Sequence, residues 1–175
     1  YWGYWQNVNY FKEIKPAILE EFQFRIPEDE QNADLLDKIK ANNSVSVHVR
    51  RGDYLSNELL GNICDLPYYH QALDIVKSKV ANPFFVIFSN DIGWCQQNLV
   101  LNNCIYVDWN QGERSYLDMK LMSACKHNII ANSSFSWWAA YLNANSEKLV
   151  IMPGRWMNMP ELDYSGLILE GWKAI

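Results

Sequence analysis

Short apolar runs alternate with amphipathic stretches over most of the chain. The runs at 45–49, 84–88, 105–107, 128–131 and 149–152 read as buried strands, because successive apolar positions leave no solvent face. Between them, Leu66, Tyr69, Leu73, Val76 and Val80 recur at helical spacing, with Pro67 in a favourable first-turn position. Residues 91–101, 113–126 and 133–143 carry further helical patterns. Ahead of this alternation, the pattern predicts a helix over 10–24 interrupted at Pro16, a polar linker over 27–33 and a short helix over 34–41.

Strands that alternate with helices imply right-handed βαβ units and an α/β fold, a Rossmann-like parallel sheet flanked by helices. The expected division is 1–33, an aromatic N-terminal segment and helix at a domain seam, and 34–175, the α/β domain. In such sheets ligands bind beyond the carboxyl ends of the strands. The residues that follow the strands are Arg50-Arg51-Gly52-Asp53, Ser89-Asn90-Asp91, Asp108-Trp109-Asn110, Asn132-Ser133-Ser134 and Pro153-Gly154. Polar side chains therefore gather on one rim, where a nucleotide would lie.

Composition narrows the classes. A chain of 175 residues, 49% hydrophobic and 14% aromatic, can bury a core and is not a disordered segment. Its net charge of −5 and pI near 5.2 argue against a nucleic-acid surface, so a bound anion must be held by a few local arginines. The acidic run Glu28-Asp29-Glu30 reads as a solvated loop. The four cysteines form no C-x-x-C pair and no ligand spacing with the three histidines, which makes a zinc site improbable. No run is long enough to span a bilayer.

The heptad from His48 to Tyr54, HVRRGDY, carries the most specific chemistry. Arg presents a planar fork of donors that matches phosphate oxygens in pairs, and it stays charged at any working pH. Each charge-assisted bond from Arg50 or Arg51 to a phosphate is worth roughly 1.5–3 kcal/mol. The bland alternative is a surface turn with an ion pair to Asp53; an adhesive RGD loop fits poorly at the end of a core strand. Asn132-Ser133-Ser134 opens a helix straight after a strand, which suits capping and also suits anion binding at the helix N-terminus. Asp118 sits among apolar neighbours and must be paired. Either a salt bridge or a guanine, with its two adjacent N–H donors, could pair it. Trp137 and Trp138 read as helix packing, and residues 1–6 (YWGYWQ) as packing or a seam. The chain has no D-x-D signature, which favours transfer without a metal.

HVRRGDY, FSND, ERSYLDMKLMSACKH and ANSSFSWWAAYLN, together with GYWQ near the start, closely resemble the α1,2-fucosyltransferases of glycosyltransferase family 11. The resemblance spans nearly the whole chain, and the H-x-R-R pattern is more distantly similar to that of α1,6- and protein O-fucosyltransferases. It implies the donor-binding half of a GT-B glycosyltransferase that uses GDP-fucose, inverts the anomeric centre and needs no metal or other cofactor. It implies that Arg50 and Arg51 hold the diphosphate, that His48 lies near the guanine and that Asp118 reads it. Ser133 and Ser134 would contact phosphate or fucose, with Phe135 beside them. Asn90 and Asp91 join the donor site by their place on the rim. Asp53 lies within the site by position, where it orients the arginines; the base that deprotonates the acceptor is unassigned.

Members of this family usually open with a G-G-L-G-N-Q segment that this sequence lacks, so it is read as the C-terminal part of a longer enzyme, inactive alone. The expected reaction is transfer of fucose from GDP-β-L-fucose to the 2-hydroxyl of a galactose-terminated glycan. The alternatives are a GDP-fucose transferase of α1,3 or α1,6 linkage and a non-catalytic nucleotide-sugar-binding module. The expected location is cytoplasmic, peripheral to the inner membrane.

Overall fold

The computed structural model describes residues 7–24 and 29–175. Six parallel strands form one sheet in the order β3-β2-β1-β4-β5-β6. They are β1 (Asn43–Val49), β2 (Pro83–Ser89), β3 (Cys104–Val107), β4 (His127–Ile129), β5 (Val150–Met152) and β6 (Trp172–Ala174). The α-helices are α1 (Lys15–Glu21), α2 (Glu30–Ala41), α3 (Leu66–Lys79), α4 (Ile92–Asn98), α5 (Tyr116–Ala124) and α6 (Ser134–Leu142). This strand order reverses between β1 and β4, the crevice where Rossmann-like sheets bind ligands.

Alternation along the strands sorts side chains to two faces. Val45, Val47 and Val49 of β1, with Phe85 and Ile87 of β2, pack under Tyr69, Leu73 and Val76 of α3 and Cys95 of α4. Phe84, Val86 and Phe88 of β2 face Leu35 and Ile39 of α2, Leu121 and Met122 of α5 and Ala139 of α6. The intervening β1 residues Ser44, Ser46 and His48 are buried and polar. Ser44 Oγ accepts from the Lys126 N–H at 3.1 Å, and Ser46 is satisfied by a side-chain amide. Asn128 Nδ2 donates to Ser46 Oγ at 2.7 Å, and Asn143 Nδ2 donates to Asn128 Oδ1 at 2.8 Å and to the Cys125 carbonyl at 2.7 Å. This lane ties the ends of α5 and α6 to the centre of the sheet.

A third cluster joins Trp137 and Tyr141 of α6 to Val150 and Met152 of β5, with Val8, Phe11 and Ile18 packed against it. Phe11 and Phe22 both stack on Trp138, at 5.5 Å and 5.3 Å between ring centroids. Trp137 and Trp138 therefore pack as the sequence predicts. The aromatic cluster at 1–6, Pro27 and Glu28 lie outside the described residues.

Several expectations need correction. The stretch expected as one helix over 10–24 is two 3-10 turns, Val8–Tyr10 and Lys12–Ile14, followed by α1. Pro16 lacks the N–H that a continuous helix needs, so the α-helix starts there rather than running through it. The linker expected over 27–33 ends early, because Asp29 accepts from the Asn32 N–H at 3.0 Å and caps α2 at Glu30. Asp29 and Glu30 are thus a helix start and not a loop, and the boundary drawn at residue 33 falls inside α2. β6 was not expected: its three residues are mostly exposed at an edge and carry no apolar run. Among the described residues no helix is long and apolar enough to cross a membrane.

Candidate functional site

The carboxyl ends of β1, β2 and β3 open into a cleft of about 520 Å³, closed from the side by α5 and α6. Its chemistry comes from His48, Arg50, Asn90, Asn110, Asp118 and Phe135. Among the described residues three buried side-chain polar atoms lack a partner, and two of them, His48 Nδ1 and Arg50 Nε, belong to walls of this cleft. Orphaned buried polar atoms are rare in folded proteins, and both of these belong to residues that line the cleft.

His48 ends the polar face of β1. Burial, and secondarily the Arg50 guanidinium, push its pKa down to about 3, so the ring is neutral at any working pH. Its ring lies 5.8 Å from that of Phe135. Arg50 Nη2 pairs with Asp53 Oδ2 at 2.9 Å, and its guanidinium carbon sits 5.4 Å from the Tyr54 ring.

Arg51 leaves the strand end in a different direction. Its guanidinium lies 4.0 Å over the Trp94 ring, and Nε pairs with Asp91 Oδ2 at 3.3 Å. It borders a second cavity of about 240 Å³, which Tyr54 and Trp94 also line. The adjacent arginines both line the second cavity, but Arg50 alone also lines the main cleft.

Between these arginines and Asp53, Gly52 turns the chain with φ +22°, and a Cβ there would run into Asn90 Nδ2. Asn90 uses that closeness. Its Oδ1 accepts from the Arg51 N–H at 2.9 Å and its Nδ2 donates to Asp53 Oδ1 at 3.3 Å, clipping the end of β2 to the turn after β1. Asp91 caps α4 through the Trp94 N–H at 3.1 Å and stays outside the main cleft.

Asp118 projects from the first turn of α5 into the cleft. Burial raises its pKa to about 7, against the lowering effect of a hydrogen bond from Asn110 Nδ2 to Oδ1 at 2.9 Å. Oδ2 receives no hydrogen bond among the described residues and is available to a ligand. The salt bridge weighed for Asp118 is absent among the described residues; its partner is an amide. Asn110 lies on the rim after β3, where its position alone could have marked it. The reason for its importance, contacts with residues far away in sequence, carries no local signal.

At the start of α6, Phe135 is in the cleft wall, while Ser133 and Ser134 lie outside it. Ser133 is extended, with φ −135°, and makes no side-chain cap. The nearby Tyr54 phenol donates to the Asn132 carbonyl at 3.3 Å. The first-turn N–H groups of α6 thus remain free of a side-chain cap, an arrangement that attracts anions. Asn132 is a latch: its Nδ2 donates to the carbonyls of Leu60 and Trp156, both at 3.1 Å.

A neutral imidazole, a buried half-free carboxylate, a phenyl ring and a guanidinium with an unused donor suit a purine nucleotide with a diphosphate. Comparison with known proteins agrees with a transferase of this kind. An "Alpha-1,2-colitosyltransferase" of Escherichia coli is 38% identical over 179 residues, covering 99% of this chain and 61% of that protein. The "O-antigen biosynthesis glycosyltransferase WbnK" of Escherichia coli is 36% identical over 135 residues, 74% of this chain and 44% of its own length. "Galactoside alpha-(1,2)-fucosyltransferase 2" of Bos taurus is 32% identical over 151 residues, 80% of this chain and 44% of its own. The chain thus spans roughly half the length of these relatives. The family pattern itself matches from end to end, over residues 1–175, and the chain belongs to Glycosyl transferase family 11.

Proposed function

We propose that the protein is a GDP-sugar-dependent α1,2-glycosyltransferase that moves fucose from GDP-β-L-fucose to the 2-hydroxyl of a terminal galactose. The domain described above is then the donor-binding half of a GT-B enzyme. The observation that carries this reading is the presence, in one cleft, of Asp118 with a free carboxylate oxygen and Arg50 with an unused guanidinium donor. A carboxylate accepts the adjacent N1–H and amine of guanine together, and a guanidinium accepts the charge of a diphosphate.

In the reaction the C1–O bond to the diphosphate breaks as the acceptor oxygen attacks from the opposite face, so the anomeric centre inverts. Arg50 stabilises the charge growing on the departing GDP, helped by the free N–H groups of α6. That positive charge takes the place that a metal fills in D-x-D enzymes. Asp53 holds Arg50 in position, and Arg51 supports the turn through Asp91 and Trp94. The acceptor enters from the side of the second cavity, next to Arg50.

A second donor is favoured by one observation, the 38% identity with an α1,2-colitosyltransferase over nearly the whole chain. Colitose is fucose without its 3-hydroxyl, so both donors share the GDP contacts. Incubating the full-length protein that carries this domain with lactose and either GDP-fucose or GDP-colitose, followed by NMR of the product, tests the reading. An α1,2-linked product is expected. An α1,3 or α1,6 product overturns the linkage, and GDP binding without any product identifies a binding module.

A further inference from the structure

Asn110 is buried, and its Nδ2 serves two acceptors, Asp118 Oδ1 at 2.9 Å and Asn32 Oδ1 at 2.8 Å. Its Oδ1 accepts in return from Asn32 Nδ2 at 2.9 Å. Asn32 is fully buried, and its Oδ1 also accepts from Trp109 Nε1 at 3.0 Å, while Nδ2 also donates to Asp29 Oδ1 at 3.0 Å. An amide has two orientations of equal shape, but an indole nitrogen is only ever a donor. Trp109 therefore fixes which end of Asn32 is oxygen. Asn32 in turn fixes Asn110, and Asn110 must present N–H to Asp118. The direction runs from indole to amide to amide to carboxylate, across residues from α2, the loop after β3 and α5.

We propose that this Trp109–Asn32–Asn110 chain is a specificity device that keeps Asp118 an oriented acceptor, so that the cleft takes guanine over adenine. The inference rests on the reading of the cleft as a nucleotide-donor site. Guanine offers N1–H and an amine to Asp118, hypoxanthine offers N1–H alone, and adenine offers neither as an adjacent pair. With Oδ1 held by Asn110, Oδ2 faces the cleft. The N–H of Asn110 also favours the charged form of the carboxylate against its burial. The charged and titratable groups that line the cleft with Asp118 are His48 in β1, Arg50 after it and Asp108 after β3; on the neighbouring elements are Glu113 and Arg114 in the turn before α5, Tyr116 and Lys120 on α5, and Asp29 at the start of α2. Of these, none competes with Asn110 as a cause of the shift in Asp118.

The test is calorimetric binding of GDP, IDP and ADP to this chain between pH 6 and 8.5. The wild type is expected to bind in the order GDP, IDP, ADP, and to lose GDP affinity below about pH 7, where Asp118 takes up a proton. Asn110→Leu preserves volume and removes the amide. It is expected to lose at least about tenfold in GDP affinity, to leave ADP unchanged and to move the pH midpoint upward. Trp109→Phe keeps an aromatic ring but removes the indole donor, and is expected to lower the GDP-to-ADP ratio several-fold. It decides the matter if Asn110→Leu does not fold. Preserved GDP preference and pH midpoint in both variants, with preference lost in Asp118→Asn, overturn the device alone. A wild type that binds ADP as well as GDP overturns the nucleotide reading and the device together.

Discussion

Arg50 and Arg51 are neighbours in the chain, yet only Arg50 lines the large cleft, while Arg51 is stacked on Trp94 and paired with Asp91. Their substitutions therefore differ in kind. Arg50→Ala is expected to lower kcat by about a hundredfold or more, the usual cost of losing a charge that stabilises the transition state. Its melting temperature is expected to stay near wild type, since the pair with Asp53 is exposed and such pairs contribute about 0–1 kcal/mol. Arg51→Ala is expected to act more on stability than on kcat, as measured by urea unfolding. The two buried titratable groups of the cleft oppose each other in pH dependence. His48 has a folded pKa below its ordinary value, so the unfolded chain binds more protons between about 3 and 6.5, and His48 raises stability as pH rises through that window. Asp118 has a folded pKa above its ordinary value, so the folded chain binds more protons between 3.8 and about 7, and Asp118 lowers stability as pH rises. Asp118→Asn is expected to show a steeper rise of stability from pH 4 to 6.5 than the wild type. His48→Gln is expected to show a fall over the same range, read by urea midpoints at each pH.

At the scale of the element, the turn after β1 depends on a residue without a side chain. Gly52→Ala is expected to cost about 1–3 kcal/mol, because it places an L side chain at positive φ and drives its Cβ into Asn90. The same change unclips Asn90 from Arg51 and Asp53, so transfer activity is expected to fall with stability. The strands were legible because β2 is apolar on both faces and β1 alternates valines with small or polar residues, and the helices because Asp65, Asp91 and Pro67 mark their starts. The first turn of α2 was hidden, since Asp29, Glu30 and Asn32 look like a polar loop until Asn32 is seen buried. The cleft was legible as a rim of polar residues following the strands. Which of those residues line it was not legible, because Arg51 and Asp91 are held by each other, a pairing that no local pattern specifies, and Ser133 and Ser134 precede Phe135, which takes the place in the wall.

For the molecule as a whole, buried amides do what apolar packing does elsewhere. Ser46, Asn128 and Asn143 connect the central strand to the ends of two helices, and the residues of one bond are 82 positions apart. Asn128→Leu is expected to destabilise by about 2–4 kcal/mol, since it takes the amide donor from buried Ser46 Oγ and removes one bond each from the Asn143 amide and the Met122 carbonyl. GDP affinity is expected to change little when measured well below the melting temperature, because Asn128 does not line the cleft. The position of Arg50, with one chamber on either side, has a thermodynamic consequence. On the proposed reading, in which the nucleotide fills one chamber and the acceptor sugar the other, this shared side chain links the two occupants. By reciprocity each changes the affinity of the other by the same factor, and that factor should vanish when the shared guanidinium is cut away.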